Sequence, residues 1–134
     1  MKEKFSRKRV VMCIATILIL IVLFSAAFYL KSVADYQKSV RETAISEVDL
    51  SALPDGVYVG EYDVNFIYAK VEVTVQNGKM TDIAILEHKQ ERGKAAEAVV
   101  TKMVAEQKID VDAVSGATNS STVIKKAVEN ALRH

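Results

Sequence analysis

From Val10 to Leu30 the chain carries no charged residue. The hydrocarbon core of a bilayer takes about 20 apolar residues as helix. The run is therefore long enough to cross a membrane, and it must be set apart from any water-soluble core. One small domain is the most that the remaining length holds. The flanks give a direction. Lys2, Lys4, Arg7, Lys8 and Arg9 precede the run against one acid, Glu3, whereas Lys31, Lys38 and Arg41 follow it beside Asp35 and Glu42. The denser basic flank predicts a cytoplasmic N-terminus and a C-terminal domain outside the cytoplasm. A cleaved signal peptide is the competing reading, with Ser25-Ala26-Ala27 near a cleavage site. The apolar run continues through Phe28, Tyr29 and Leu30, longer than the 7–15 residues or so of a signal h-region. A retained single-pass anchor in the cell membrane, in contact with the lipid bilayer, is the preferred reading.

This divides the chain into a basic tail over 1–9, a transmembrane helix over 10–30, a stalk or linker over 31–53, and a folded domain over 54–134. The formal net charge is +1, so nothing argues for a nucleic-acid partner. The single cysteine, Cys13, lies inside the apolar run and reads as an inert apolar side chain. The outer domain has no disulfide to staple it and depends on its core alone. In the stalk, Val33, Tyr36, Val40, Ala44 and Val48 recur every three or four residues. They predict a helical extension of the anchor, with a partly ordered linker as the alternative.

Pro54-Asp55-Gly56 marks the start of the domain. Val57–Tyr62 reads as a first strand. Phe66–Gln76 is the clearest second one: Ile67, Ala69, Val71, Val73 and Val75 alternate with Tyr68, Lys70, Glu72, Thr74 and Gln76, as in a half-buried antiparallel strand. Asn77-Gly78 predicts a two-residue hairpin turn, because both central positions of a type I′ turn need positive φ. Thr81–Leu86 returns as the partner strand, with Ile83 and Ile85 on one face. Cover for the sheet comes from two amphipathic segments. Lys94–Gln107 presents Ala96, Val99, Val100, Met103 and Val104, and Ser120–Leu132 presents Ile124, Ala127, Val128, Ala131 and Leu132. Strands followed by helices predict an α+β domain: a small antiparallel sheet covered by two helices.

Between the two helices runs Asp112-Ala113-Val114-Ser115-Gly116-Ala117-Thr118-Asn119-Ser120-Ser121. Small and hydroxyl residues crowd a tight loop that feeds a helix N-terminus. Asn119 or Ser120 is expected to cap that helix. Free N–H groups and the positive dipole end favour an anion there, and Gly116 lets a ligand approach the backbone.

The order Asp112-x-x-Ser115-Gly116-Ala117-Thr118 resembles the attachment signal of the FMN-binding domain family, which includes the small flavin subunits of the Rnf and Nqr respiratory complexes. Asp55-Gly56-Val57-Tyr58-Val59-Gly60, Lys70–Val75 and the turn Asn77-Gly78-Lys79-Met80-Thr81-Asp82-Ile83 are similar to the same family, so the resemblance covers Pro54 to the end of the chain. It implies that a flavinyltransferase esterifies FMN to the Thr118 hydroxyl, reading Asp112 on the way, with Ser115, Gly116, Ala117, Asn119 and Ser120 around the cofactor. It also implies an electron carrier with membrane or extracytoplasmic redox partners. His88, at the end of the third strand, is a candidate to line the flavin; the alternative is a solvated strand-end histidine. Larger family members carry Glu-Thr-Pro-Gly where this chain has Gln90-Glu91-Arg92-Gly93, a departure that bears on the ring contacts more than on the attachment site.

Other signals are weak. His88 and His134 lack metal-ligand spacing. Lys125 and Lys126 read as a solvated helix face, with phosphate pairing as the alternative. No Ser–His–Asp or Cys–His arrangement, Walker loop or GxGxxG after a strand is present. The expectation is a carrier rather than an enzyme with its own substrate. A non-covalent FMN binder and a non-redox structural or sensory module remain as alternatives.

Overall fold

The computed structural model describes residues 6–89 and 94–133. The chain forms two compact units, Met1–Asp35 and Tyr36–His134. The first unit holds most of α1, Arg7–Glu42, whose most apolar 18-residue window has a mean hydropathy of 3.0. This is one helix long and apolar enough to cross a membrane. Ile14, Leu18, Leu20, Val22, Phe24 and Phe28 stand exposed around it, which suits lipid and not water. Cys13 is likewise exposed on this helix.

The second unit takes in the last turns of α1, a 3₁₀ turn at Leu50–Ala52, strands β1 (Gly56–Asp63), β2 (Tyr68–Gln76) and β3 (Lys79–Lys89), a 3₁₀ turn at Lys94–Ala98, and helices α2 (Val99–Glu106) and α3 (Thr118–Leu132). The fold is α+β. Its sheet is antiparallel throughout, in the order β1-β2-β3. Alternation in β2 becomes burial: Ala69, Val71, Val73 and Val75 have no exposed surface. Asn77 (φ 52°) and Gly78 (φ 71°) make the tight turn their dipeptide predicts.

α3 covers the sheet with Val123, Ile124, Ala127, Val128, Ala131 and Leu132, all buried. Each valine, isoleucine or leucine among them stabilises the fold by roughly 1.5–3 kcal/mol. β1 reaches α3 most closely at Gly60, where an added Cβ would lie 2.2 Å from the Ala131 amide nitrogen. α2 adds Val99 and Met103, and β3 adds Met80 and Ile83. Gln107 ends α2 in the left-handed region at φ 53°. Its side-chain amide bonds both Met80 N–H (2.9 Å) and Met80 C=O (2.7 Å), tying the end of α2 to β3.

Several elements run differently from the sequence expectation. Lys94–Gln107 is a 3₁₀ turn followed by a shorter α-helix, and β3 is longer at both ends than Thr81–Leu86. Of the stalk residues, helix persists to Glu42; the chain then leaves it and lies in the second unit. Val40 is buried in that unit's core, and Tyr36 stacks at a tilt on Phe66 with ring centroids 4.9 Å apart. Thr43 Oγ1 and Tyr62 OH lie 2.9 Å apart. Apolar periodicity in the stalk reflects this packing.

Candidate functional site

The 112–121 segment is a loop up to Ala117, with a held base and an open crest, and then the first turn of α3. At the crest, Ala117 N–H donates to Val114 C=O at 2.9 Å, and Gly116 has φ +78°. This is the positive φ that the third position of a type II turn requires. Asp112, Ser115, Gly116 and Thr118 are exposed. No heavy atom outside the neighbouring residues comes within 4 Å of a Cβ built on Gly116, so the glycine answers to conformation and leaves open space beside the turn.

Thr118 is the first residue of α3, and the capping position belongs to Ala117, which has no side chain to cap with. The expected cap by Asn119 or Ser120 does not form: the helix starts earlier than its apolar face begins, so both residues lie inside its first turn. Ser120 is buried and Asn119 half-buried. The first intrahelical bond runs from Ser121 N–H to Ala117 C=O at 3.0 Å. The N–H groups of Thr118, Asn119 and Ser120 precede it and point out of the helix start. Removed from capping duty, the Thr118 hydroxyl is available.

Side chains to which the sequence reading gave no such role hold the base. Ser121, fully buried, accepts from Val114 N–H (3.1 Å) and donates to Ala117 C=O (2.8 Å). Lys125 was expected on a solvated face, yet it is buried. Its ammonium bonds Asp110 Oδ1 at 3.0 Å and Val111 C=O at 2.9 Å. Lys126 is also engaged, with Ala44 C=O at 3.1 Å and Glu129 Oε2 at 3.0 Å. Ser121, Lys125 and Glu129 fall four residues apart on one line of α3. That polar stripe beside the apolar face was the legible signal.

His88 pairs across the sheet with Ala69, on the face that α3 covers. Its side chain is only 3% exposed, and Nδ1 lies 3.1 Å from Glu97 Oε1, so it is not a solvated strand-end residue. Its Nε2 is buried with no hydrogen-bond partner among the described residues. A buried polar atom left unpaired costs about 1–3 kcal/mol, so a water or a ligand atom is its expected partner. When Nδ1 donates to Glu97, Nε2 is left as an acceptor. Gln90-Glu91-Arg92-Gly93 and His134 lie outside the described residues. An open groove of about 600 Å³ lies towards the other end of α3, lined by Val59, Gly60, Glu61, Lys70, Asn130 and Arg133. None of the site residues predicted from the sequence lines it.

Residues 68–133 match the model of the FMN-binding domain. The match takes in β2, β3, α2, α3, His88 and the whole 112–118 turn, and leaves out β1 and the segment after α1. A search of curated proteins finds no match to the chain.

Proposed function

Since this chain belongs to the FMN-binding domain family through residues 68–133, we propose that it is a membrane-anchored flavoprotein. It carries FMN as a phosphodiester on Thr118 Oγ1 and relays electrons between the membrane and partners outside the cytoplasm. The observation that carries the reading is an exposed, uncapping Thr118 at the start of α3, beside the open space at Gly116.

The residues present fit the cofactor. A phosphodiester keeps one negative charge, which suits the N–H groups of Thr118, Asn119 and Ser120 and the positive end of α3. Ser115 and Ala117 flank the same turn, and Asp112 stands exposed where a flavinyltransferase would read it. His88 Nε2, buried and without a partner among the described residues, is an acceptor suited to a ring N–H or a ribityl hydroxyl. FMN, when bound, supplies the redox chemistry; the protein supplies position and electrostatics.

Attachment balances as a phosphoryl transfer from flavin adenine dinucleotide. Thr118 Oγ1 forms a P–O bond to the FMN phosphorus, and the pyrophosphate P–O bond breaks. AMP leaves, and the hydroxyl proton passes to a base of the transferase. The hydroxyl alone is a weak nucleophile, and the described part of this chain sets no base against it, so activation falls to the transferase.

Two measurements test the reading. Full-length protein co-produced with a flavinyltransferase should stay yellow through denaturation and gel filtration. Flavin that is released on denaturation would mean a non-covalent binder, and a colourless protein would remove the redox role. Protease added to intact cells should digest the 54–134 domain and spare the N-terminus. A domain shielded until lysis would contradict the placement outside the cytoplasm.

A further inference from the structure

Glu47 lies outside the family-matched residues, in the segment between α1 and the 3₁₀ turn. Its carboxylate nevertheless reaches a loop more than sixty residues away. Oε2 accepts from Ile109 N–H at 2.9 Å and Oε1 from Asp110 N–H at 2.8 Å. We infer that Glu47 is a positioning residue for flavin attachment: it fixes the base of the loop whose crest presents Thr118 to the transferase. The inference rests on the attachment reading above.

The loop is held on three sides. Gln107 ties its start to Met80 of β3. Lys125 grips Asp110 and Val111 C=O from α3. Glu47 grips Ile109 and Asp110 through their N–H groups. Ile109 and Val111 sit buried between these grips, and the exposed crest begins at the next residue, Asp112. The arm that bears Glu47 is itself anchored to α3, because Glu129 Oε2 accepts from Ser46 N–H at 3.0 Å and Lys126 donates to Ala44 C=O. Charge-assisted bonds from one carboxylate to two successive N–H groups are directional. A transferred group must meet its nucleophile in the right geometry, and a misplacement of about 1 Å can cost about 100-fold in rate. Glu47 is itself exposed, so replacing it removes the grip without opening the core.

The test is the initial rate of flavin transfer to full-length protein, with a flavinyltransferase and saturating flavin adenine dinucleotide, for wild type and Glu47→Gln. Gln keeps one acceptor oxygen and turns an NH₂ towards the second N–H. The expected result is a fall in kcat/KM of about tenfold or more. Hydrogen exchange should quicken at Ile109 and Asp110 and stay unchanged along β2. Loading at the wild-type rate would overturn the proposal. Glu47→Asp, one methylene shorter, serves as a second variant with the same expectation. If β2 loses protection in both variants, Glu47 is a folding residue and the proposal falls. A wild type that takes up no covalent flavin would instead fail the attachment reading.

Discussion

Two glycines face the two ends of α3 and serve opposite needs. Gly60 lies under the C-terminal half, where an added Cβ would meet the Ala131 nitrogen at 2.2 Å and the Ala127 carbonyl oxygen at 2.4 Å. Gly116 lies just before the N-terminus, with nothing within 4 Å and φ +78°. The first glycine is there for space and the second for conformation. One end of the helix is locked to the sheet, and the other is left open to whatever binds there. The same division separates scaffold from site across the domain.

Gly60→Ala should have the largest effect, because its Cβ meets backbone that cannot step aside. A loss of more than about 3 kcal/mol would take a large share of the 5–15 kcal/mol or so that holds a small domain together. The melting temperature should fall by at least about 12 °C. A Gly60→Ala domain melting within a few degrees of wild type would mean that the helix is not locked there.

Thr118→Val acts at the open end. The side chain is exposed and does not cap, so stability should change by about 0.5 kcal/mol or less, while covalent flavin disappears. Full loading of this variant would move the attachment elsewhere. Gly116→Val should cost about 1–2 kcal/mol through left-handed strain alone, since nothing in the domain obstructs the new side chain. Loading should slow beyond what that strain explains, because the branched side chain occupies the open space. Normal loading with a normal melting temperature would make Gly116 an ordinary turn residue.

The smallest effect lies on the uncovered face of the sheet. Tyr68 OH donates to Glu61 Oε2 at 2.7 Å. That bond, helped by partial desolvation and by the charges of Glu61, Glu87 and Asp63, pushes the phenol from 10.0 up to about 12. A raised phenol favours its neutral form in the folded state. Its contribution is therefore full below pH 10 and lost as pH rises through about 12. Glu61→Gln should move the phenolate absorbance midpoint back towards 10, read as the difference from Tyr68→Phe, without touching flavin loading. An unmoved midpoint would detach Tyr68 from Glu61.

The sequence discloses some of these features and hides others. Alternation along Ala69–Val75, the Asn77-Gly78 turn and the apolar line Ile124–Leu132 are local periodicities, and they carried the sheet and its cover. The turn at Gly116 was legible from the small and hydroxyl residues that crowd it. Pairings between distant segments leave no such trace. Nothing near Glu47 points to Ile109, and nothing near Lys125 says that Asp110 and Val111 will close over it. Gly60 looks like any strand glycine until α3 is laid against it. His88 was singled out by resemblance; its Glu97 partner and its unpaired Nε2 belong to tertiary structure. Helix caps failed as a guide at α3 because the helix begins ahead of its apolar face, leaving Thr118 inside and Ala117 at the cap.

Whether Thr118 bears FMN is read from the mass of the Thr118 peptide, cut from full-length protein made alongside a flavinyltransferase. The expected result is an increment of FMN less one water, with fragmentation placing it on Thr118 and not on Ser115, Ser120 or Ser121. An unmodified peptide from protein that nevertheless holds FMN until it is denatured would contradict it.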